Sequence, residues 1–195
     1  AMAHALDEAC REHDALFMDA PVSGGQQGAK DGALSIMCGG DEAVFERARP
    51  LLDHYGKSVV HMGPVGQGQL TKMANQIACA GLVQGLSEAL HYPEKAGLDG
   101  RSVVAGTSQG AAGSWQLSNL ATKIAAGDHA PGFMVDLVLK DLNLVAEAAR
   151  EHKLPLAGTA LGESYFRSVQ ADGGGRLGTQ AMARTLEKLG NFDFA

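Results

Sequence analysis

Three short segments place reactive side chains and glycines where they could do chemistry. In Asp19-Ala20-Pro21-Val22-Ser23-Gly24-Gly25, a serine and two glycines follow an apolar run and a proline. Consecutive glycines let backbone N–H groups approach a ligand closely, and the hydroxyl adds a donor, which makes a cradle for a carboxylate or phosphate. The same pattern also suits an ordinary Gly-Gly turn. In Gly66-Gln67-Gly68-Gln69-Leu70-Thr71-Lys72-Met73-Ala74-Asn75-Gln76, the glycines open a helix. Lys72 and Asn75 then fall at i and i+3 and share a face. Burial disfavours the charged form of lysine and lowers its pKa, which poises it as a proton donor or acceptor. The alternative is a lysine whose stem lies along the helix while its head reaches water. The third segment runs from Phe133 to Leu142. Its Asp136 and Lys140 form an i,i+4 acid–base pair in the favoured order, ordinarily a weak helix-surface contact. Lys140-Asp141 inside an apolar run is the more pointed feature.

One further motif is a decoy. Gly106-Thr107-Ser108-Gln109-Gly110 fits G-x-S-x-G, and Asp128 or Asp141 and then His152 follow in Ser–Asp–His order. A hydrolase elbow needs a strand before it and a helix after it in a large parallel sheet. The surroundings of Ser108 read as helical and rich in Ala and Gly, which disfavours a serine hydrolase. The seven histidines show no H-E-x-x-H and the three cysteines no C-x-x-C, so no metal site is inferred. No G-x-G-x-x-G follows a strand.

The elements that must position these residues change character along the chain. Residues 3–13 have helical spacing, and Ala15-Leu16-Phe17-Met18 reads as a short buried strand stopped by Asp19-Ala20-Pro21. Leu34 to Cys38 alternates and ends at Gly39-Gly40, predicting a strand. Asp41 then caps a helix through Leu51-Leu52, and Lys57 to Met62 is a third strand. After Gly68 helical periods dominate. Leu70 to His91 predicts one helix, apolar on nearly every side, of the kind buried in a bundle or an oligomer. Pro93 is expected to break or kink it. Further helices are predicted at 101–106, 114–126, 134–152, 155–171 and 178–188, without internal repeats. The fold class is therefore mainly α with an α/β N-terminal piece. The division falls at residues 1–64 and 65–195. About three strands are too few for a complete doubly wound sheet, so the first part reads as the tail of a domain whose beginning is absent.

Composition bounds the function classes. The 195 residues are enough for one domain plus part of another, and 45% apolar residues exclude disorder as the main state. Sixteen basic against 22 acidic side chains give a net charge of −6, with no Lys/Arg run to bind nucleic acid or an anionic membrane. No apolar stretch reaches the ~18 residues of a membrane span. The start of the chain is charged and mixed, unlike a signal peptide. Cys10, Cys38 and Cys79 are odd in number and far apart, as expected for reduced thiols in a cytoplasmic protein. The 26 glycines are roughly twice the usual share and cluster at turn-like places.

Together, Asp19 to Gly25, Gly66 to Gln76 and Lys140 to Leu142 occur in the order and at the spacing of the β-hydroxyacid dehydrogenases. The chain resembles that family over essentially its whole length. The family includes 3-hydroxyisobutyrate dehydrogenase and tartronate semialdehyde (2-hydroxy-3-oxopropionate) reductase. D-A-P-V-S-G-G is the most specific motif and G-x-G-x-x-x-K-x-x-N supports it. Ser87 to Leu90 and Lys95 to Leu98 also look like the family's helix.

The resemblance implies a Rossmann-type NAD(P) domain, of which residues 1–64 are the last strands, followed by an all-helical dimerising domain. It implies that Ser23, Gly24 and Gly25 hold a substrate carboxylate, that Lys72 is the general acid/base, and that Asn75 fixes substrate and lysine. Lys140 and Phe133 would line the nicotinamide end of NAD or NADP, with Asp141 orienting. The expected reaction interconverts a short-chain 3-hydroxy acid and its semialdehyde in a homodimer or higher homo-oligomer. The cofactor fingerprint that the family carries at its N-terminus is missing, which leaves catalysis by these residues alone unexpected. It also keeps open a non-catalytic helical interaction module derived from such an enzyme. Related 6-phosphogluconate dehydrogenases carry a histidine where Ala74 stands, which disfavours a sugar phosphate. Gln76 resembles the tartronate semialdehyde reductase branch.

Overall fold

The computed structural model describes residues 2–191. The chain forms two compact units, Ala1–Asn75 and Gln76–Ala195. The first contains α1 (Met2–Glu12), β1 (Met18–Asp19), β2 (Val22–Ser23), α2 (Gly25–Lys30), β3 (Leu34–Gly40), α3 (Glu42–Leu52) and β4 (Gly56–Gly63). It also takes the start of α4 (Gln67–Ala96). In β3 the alternation has its expected effect. Leu34, Ile36 and Cys38 are buried, and Phe45 and Leu52 of α3 pack with them. Asp41 caps α3 as its position predicts, accepting from Ala43 N at 2.8 Å and Val44 N at 3.4 Å.

β3 organises the sheet. β4 pairs with it in parallel, as a β-α-β unit through α3 requires. β1 and β2 pair with it antiparallel, with Asp19 opposite Gly39 and Val22 opposite Ile36. Here the sequence expectation is corrected. The strand does not occupy residues 15–18. It begins at Met18, passes through Asp19 and resumes at Val22. Pro21 lacks an N–H, but its carbonyl still accepts from Met37 N at 3.0 Å, so the run stays attached across the gap.

The second unit holds the rest of α4, then α5 (Gly100–Thr107), α6 (Trp115–Ala125), α7 (Val135–Glu151), α8 (Ala157–Val169) and α9 (Ala183–Gly190). A wide π-type turn at Gln170–Gly174 and a 3₁₀ turn at Thr179–Met182 lie between α8 and α9. The core is built from one face each of α4, α6, α7 and α8, with Phe166 at its centre. α4 is not broken at Pro93. It continues to Ala96 and ends at Gly97, whose φ of 73° suits a helix C-terminus. Proline removes one intrahelical hydrogen bond, but its ring is fully buried and lies within the last turn. α4 also buries only part of its surface. Val83, Leu86 and Leu90 face the core, whereas Leu82 and Tyr92 are exposed. Among the described residues no helix is long and apolar enough to cross a membrane.

The loop before α7 is fastened by Gln180, a buried side chain whose Nε2 donates to the carbonyls of Asp128 and Ala130, both at 3.0 Å. His129 lies between them, and its Nδ1 is buried without a hydrogen-bond partner among the described residues. Burial, and next the Arg184 charge, hold the imidazole below its ordinary range, against smaller opposing effects of Glu187 and Asp128. The folded protein therefore binds this proton less tightly than the unfolded chain. The stability contribution is present above the unfolded histidine value of about 6.5 and is lost as pH falls through and below it. The urea midpoint should drop between neutral pH and pH ~5. His129→Leu should make that drop smaller, and an unchanged pH dependence in the variant would refute the assignment.

Candidate active site

The first unit gathers the chemistry of the first two motifs. β2 ends at Ser23, and the chain then turns through Gly24 (φ 126°) and Gly25 (φ 61°) into α2. Both values lie in the region that L side chains avoid, so the turn itself requires this Gly pair. α2 was not foreseen in the sequence, because Gly25-Gln26-Gln27-Gly28 has no apolar period to announce a helix.

Lys72 lies early in α4, and its ammonium donates to the carbonyl of Val22 at 2.8 Å. That carbonyl directly precedes Ser23. Two segments about 50 residues apart thus meet, with a half-buried cation beside a glycine turn. Asn75 is half-buried on the same helix, three residues on.

A residue with no assigned role in the sequence holds the start of α4. Asp19 is 5% exposed. Its carboxylate accepts from Gly66 N at 2.6 Å and from Gln69 N at 2.8 Å. It therefore caps α4 from another strand, where its charge favours the positive end of the helix. Only a non-local contact makes this cap, so no local spacing announces it. The start of α4 is thus occupied by the protein's own carboxylate.

The second unit carries the third motif. Lys140 on α7 is ion-paired with Asp141 Oδ1 at 3.0 Å, and its side chain is 65% exposed. Asp141 Oδ2 accepts from Gln76 Nε2 at 2.7 Å, and Gln76 is 3% exposed. Buried amide, carboxylate and exposed ammonium thus form a chain that ends at the lysine. The Asp136–Lys140 pair expected from spacing is not made. Asp136 instead accepts from Gln170 Nε2 at 2.7 Å. Phe133 precedes α7 and packs against the core, and its carbonyl accepts from Thr179 N. An exposed, oriented cation is a donor that suits an oxygen of a nicotinamide dinucleotide.

Ser108 is no hydrolase nucleophile. It terminates α5 rather than following a strand, and its hydroxyl donates back to the Val104 carbonyl at 2.5 Å. No cluster of His, Cys, Asp or Glu suited to a metal occurs among the described residues.

Residues 66–186 match the family described as NAD-binding of NADP-dependent 3-hydroxyisobutyrate dehydrogenase. Residues 1–63 match the NAD binding domain of 6-phosphogluconate dehydrogenase. The chain belongs to the β-hydroxyacid dehydrogenase family. An uncharacterized oxidoreductase of Shewanella frigidimarina is 46% identical over 88% of this chain and 59% of its own length. The 2-hydroxy-3-oxopropionate reductase of Escherichia coli is 41% identical over 92% of this chain and 61% of its own length. The 3-hydroxyisobutyrate dehydrogenase of Mycobacterium tuberculosis, solved with L-serine, superimposes with a TM-score of 0.86. It is 30% identical and covers 94% of this chain, which covers 65% of it. The chain thus spans about three fifths of the curated relatives it matches. As in other β-hydroxyacid dehydrogenases, a Rossmann-type part precedes a helical part, and NAD or NADP is the family's cofactor.

Proposed function

We propose that this chain serves an NAD(P)-dependent oxidoreductase that interconverts a short-chain 3-hydroxy acid and its semialdehyde, of the 3-hydroxyisobutyrate or tartronate semialdehyde type. The observation that carries this reading is the Lys72 ammonium held at the Val22 carbonyl, beside the Ser23–Gly25 turn. The likeness to relatives named for these substrates supports it, as does the L-serine in the M. tuberculosis structure, itself a 3-hydroxy acid.

In this reading residues 1–64 close the cofactor domain, and residues 65–195 form the substrate-binding and dimerisation domain. The Gly24 and Gly25 amides and the Ser23 hydroxyl hold the substrate carboxylate, which fixes the reacting carbon. Negative charge develops on the carbonyl oxygen during reduction. Lys72 stabilises that charge and then gives up its proton there. Asn75 steadies substrate and lysine. Lys140, oriented through Asp141, and Phe133 face the cofactor. When bound, the nicotinamide supplies the redox chemistry. A homodimer or higher homo-oligomer is supported by the α4 face that leaves Leu82 and Tyr92 exposed.

The test is oxidation of NADH or NADPH by the full-length enzyme with the two semialdehydes. Turnover is expected with at least one combination, and none with any would overturn the proposal. Ser23→Ala should raise KM for the acid about tenfold, the usual worth of a hydrogen bond to a charged group. An unchanged KM removes Ser23 from the carboxylate site.

A further inference from the structure

Asp19 does more than cap a helix. No cation pairs with it among the described residues, so two backbone N–H groups carry most of the compensation for its burial. The space around it is reserved. A Cβ at Gly39 would lie 2.6 Å from Asp19 Oδ1, and one at Gly68 would lie 2.7 Å from Oδ2. Two glycines on different elements thus let β3, the start of α4 and this carboxylate approach closely, the Met37 carbonyl also crowding Gly68. The same strand line that carries Asp19 carries Val22 and Ser23 a few residues later, all registered on β3. The same helix start that Asp19 holds carries Lys72 about one turn further along. The charge is felt nearby as well. The Cys38 thiol is pushed above its ordinary range, first by burial and then by Asp19.

We propose that Asp19 is a positioning residue for Lys72: its carboxylate pins the first turn of α4 to the strand that carries Ser23, and so sets where the ammonium stands against the Ser23–Gly25 turn. The inference rests on the reading of Lys72 as proton donor. Displacing a catalytic group by about 1 Å can cost on the order of 100-fold in rate. Loss of the pin should therefore appear in kcat rather than in ligand binding.

The experiment compares Asp19→Ala and Asp19→Asn with the parent in the full-length enzyme, at a temperature where all are folded. Amide hydrogen exchange at Gly66 and Gln69 is read beside kcat, KM and the Kd for reduced cofactor. In Asp19→Ala, exchange at both amides should accelerate at least about tenfold and kcat should fall about tenfold or more, with KM and Kd within about threefold. Asp19→Asn keeps one acceptor and should fall between. If the alanine variant does not fold, the asparagine variant decides alone. Faster exchange with unchanged kcat would reduce Asp19 to a structural cap and overturn the proposal. So would a fall in kcat without faster exchange. Lys72→Ala is run alongside. If it leaves kcat unchanged, the proton-donor reading fails, and the exchange result still reports separately whether Asp19 pins the helix.

Discussion

Lys72→Ala in the full-length enzyme is expected to lower kcat by ~10²–10⁴-fold, the usual contribution of a placed proton donor. Under the proposed function, the substitution removes both the charge that meets the developing alkoxide and the proton that completes the alcohol. It also removes the bond to the Val22 carbonyl, but that carbonyl lies at a partly accessible site and can be hydrated. The fold should therefore persist, with an unchanged circular dichroism spectrum. Lys72→Arg separates the two roles. Arginine keeps the positive charge but does not release a proton near neutral pH, so it should restore KM more than kcat. A kcat within about threefold of the parent in Lys72→Ala would remove lysine from the proton transfer.

The second large effect concerns stability. Phe166 on α8 is 0% exposed and stands in the core of the second unit with residues of α4, α6 and α7. Phe166→Ala should cost about 3–5 kcal/mol, the transfer free energy of the ring plus the cavity it leaves. The expected result is a lower urea midpoint with a similar denaturant slope. A midpoint equal to the parent's would contradict the burial of this ring. Because Phe166 belongs to no motif, the loss should come with little change in kcat under conditions where the variant remains folded.

Much of the fold was legible because it obeys local rules. Leu34, Ile36 and Cys38 alternate and are buried. Asp41 is placed as a cap and is one. The helices after Gly68 fall close to where their periods put them. What escaped the sequence depends on partners distant in the chain. Asp19 finds its donors 47 and 50 residues away. Asp136 turns from Lys140 to Gln170, a choice that spacing on one helix cannot reveal. Pro93 is a helix breaker by its own chemistry, but burial of its ring in a last turn outweighs one lost hydrogen bond. For the site, the motifs marked Ser23, Lys72 and Lys140. The anchoring roles of Asp19 and of Gln76 became visible only with the contacts in place.

The contrast between the two aspartate caps bears on the order in which the first unit assembles. Asp41 reaches amides two and three residues ahead, so α3 can begin as soon as its own turn forms. The beginning of α4 depends on a carboxylate supplied from β1, 47 residues earlier, and closing that span costs more chain entropy than the local turn of α3. The cap of α4 thus exists only where the β1–β2 line is registered on β3 and β3 is joined to β4, whereas the cap of α3 needs none of these pairings. The contact that places the lysine joins residues 50 apart, so its closure costs more chain entropy than the local cap of α3 does.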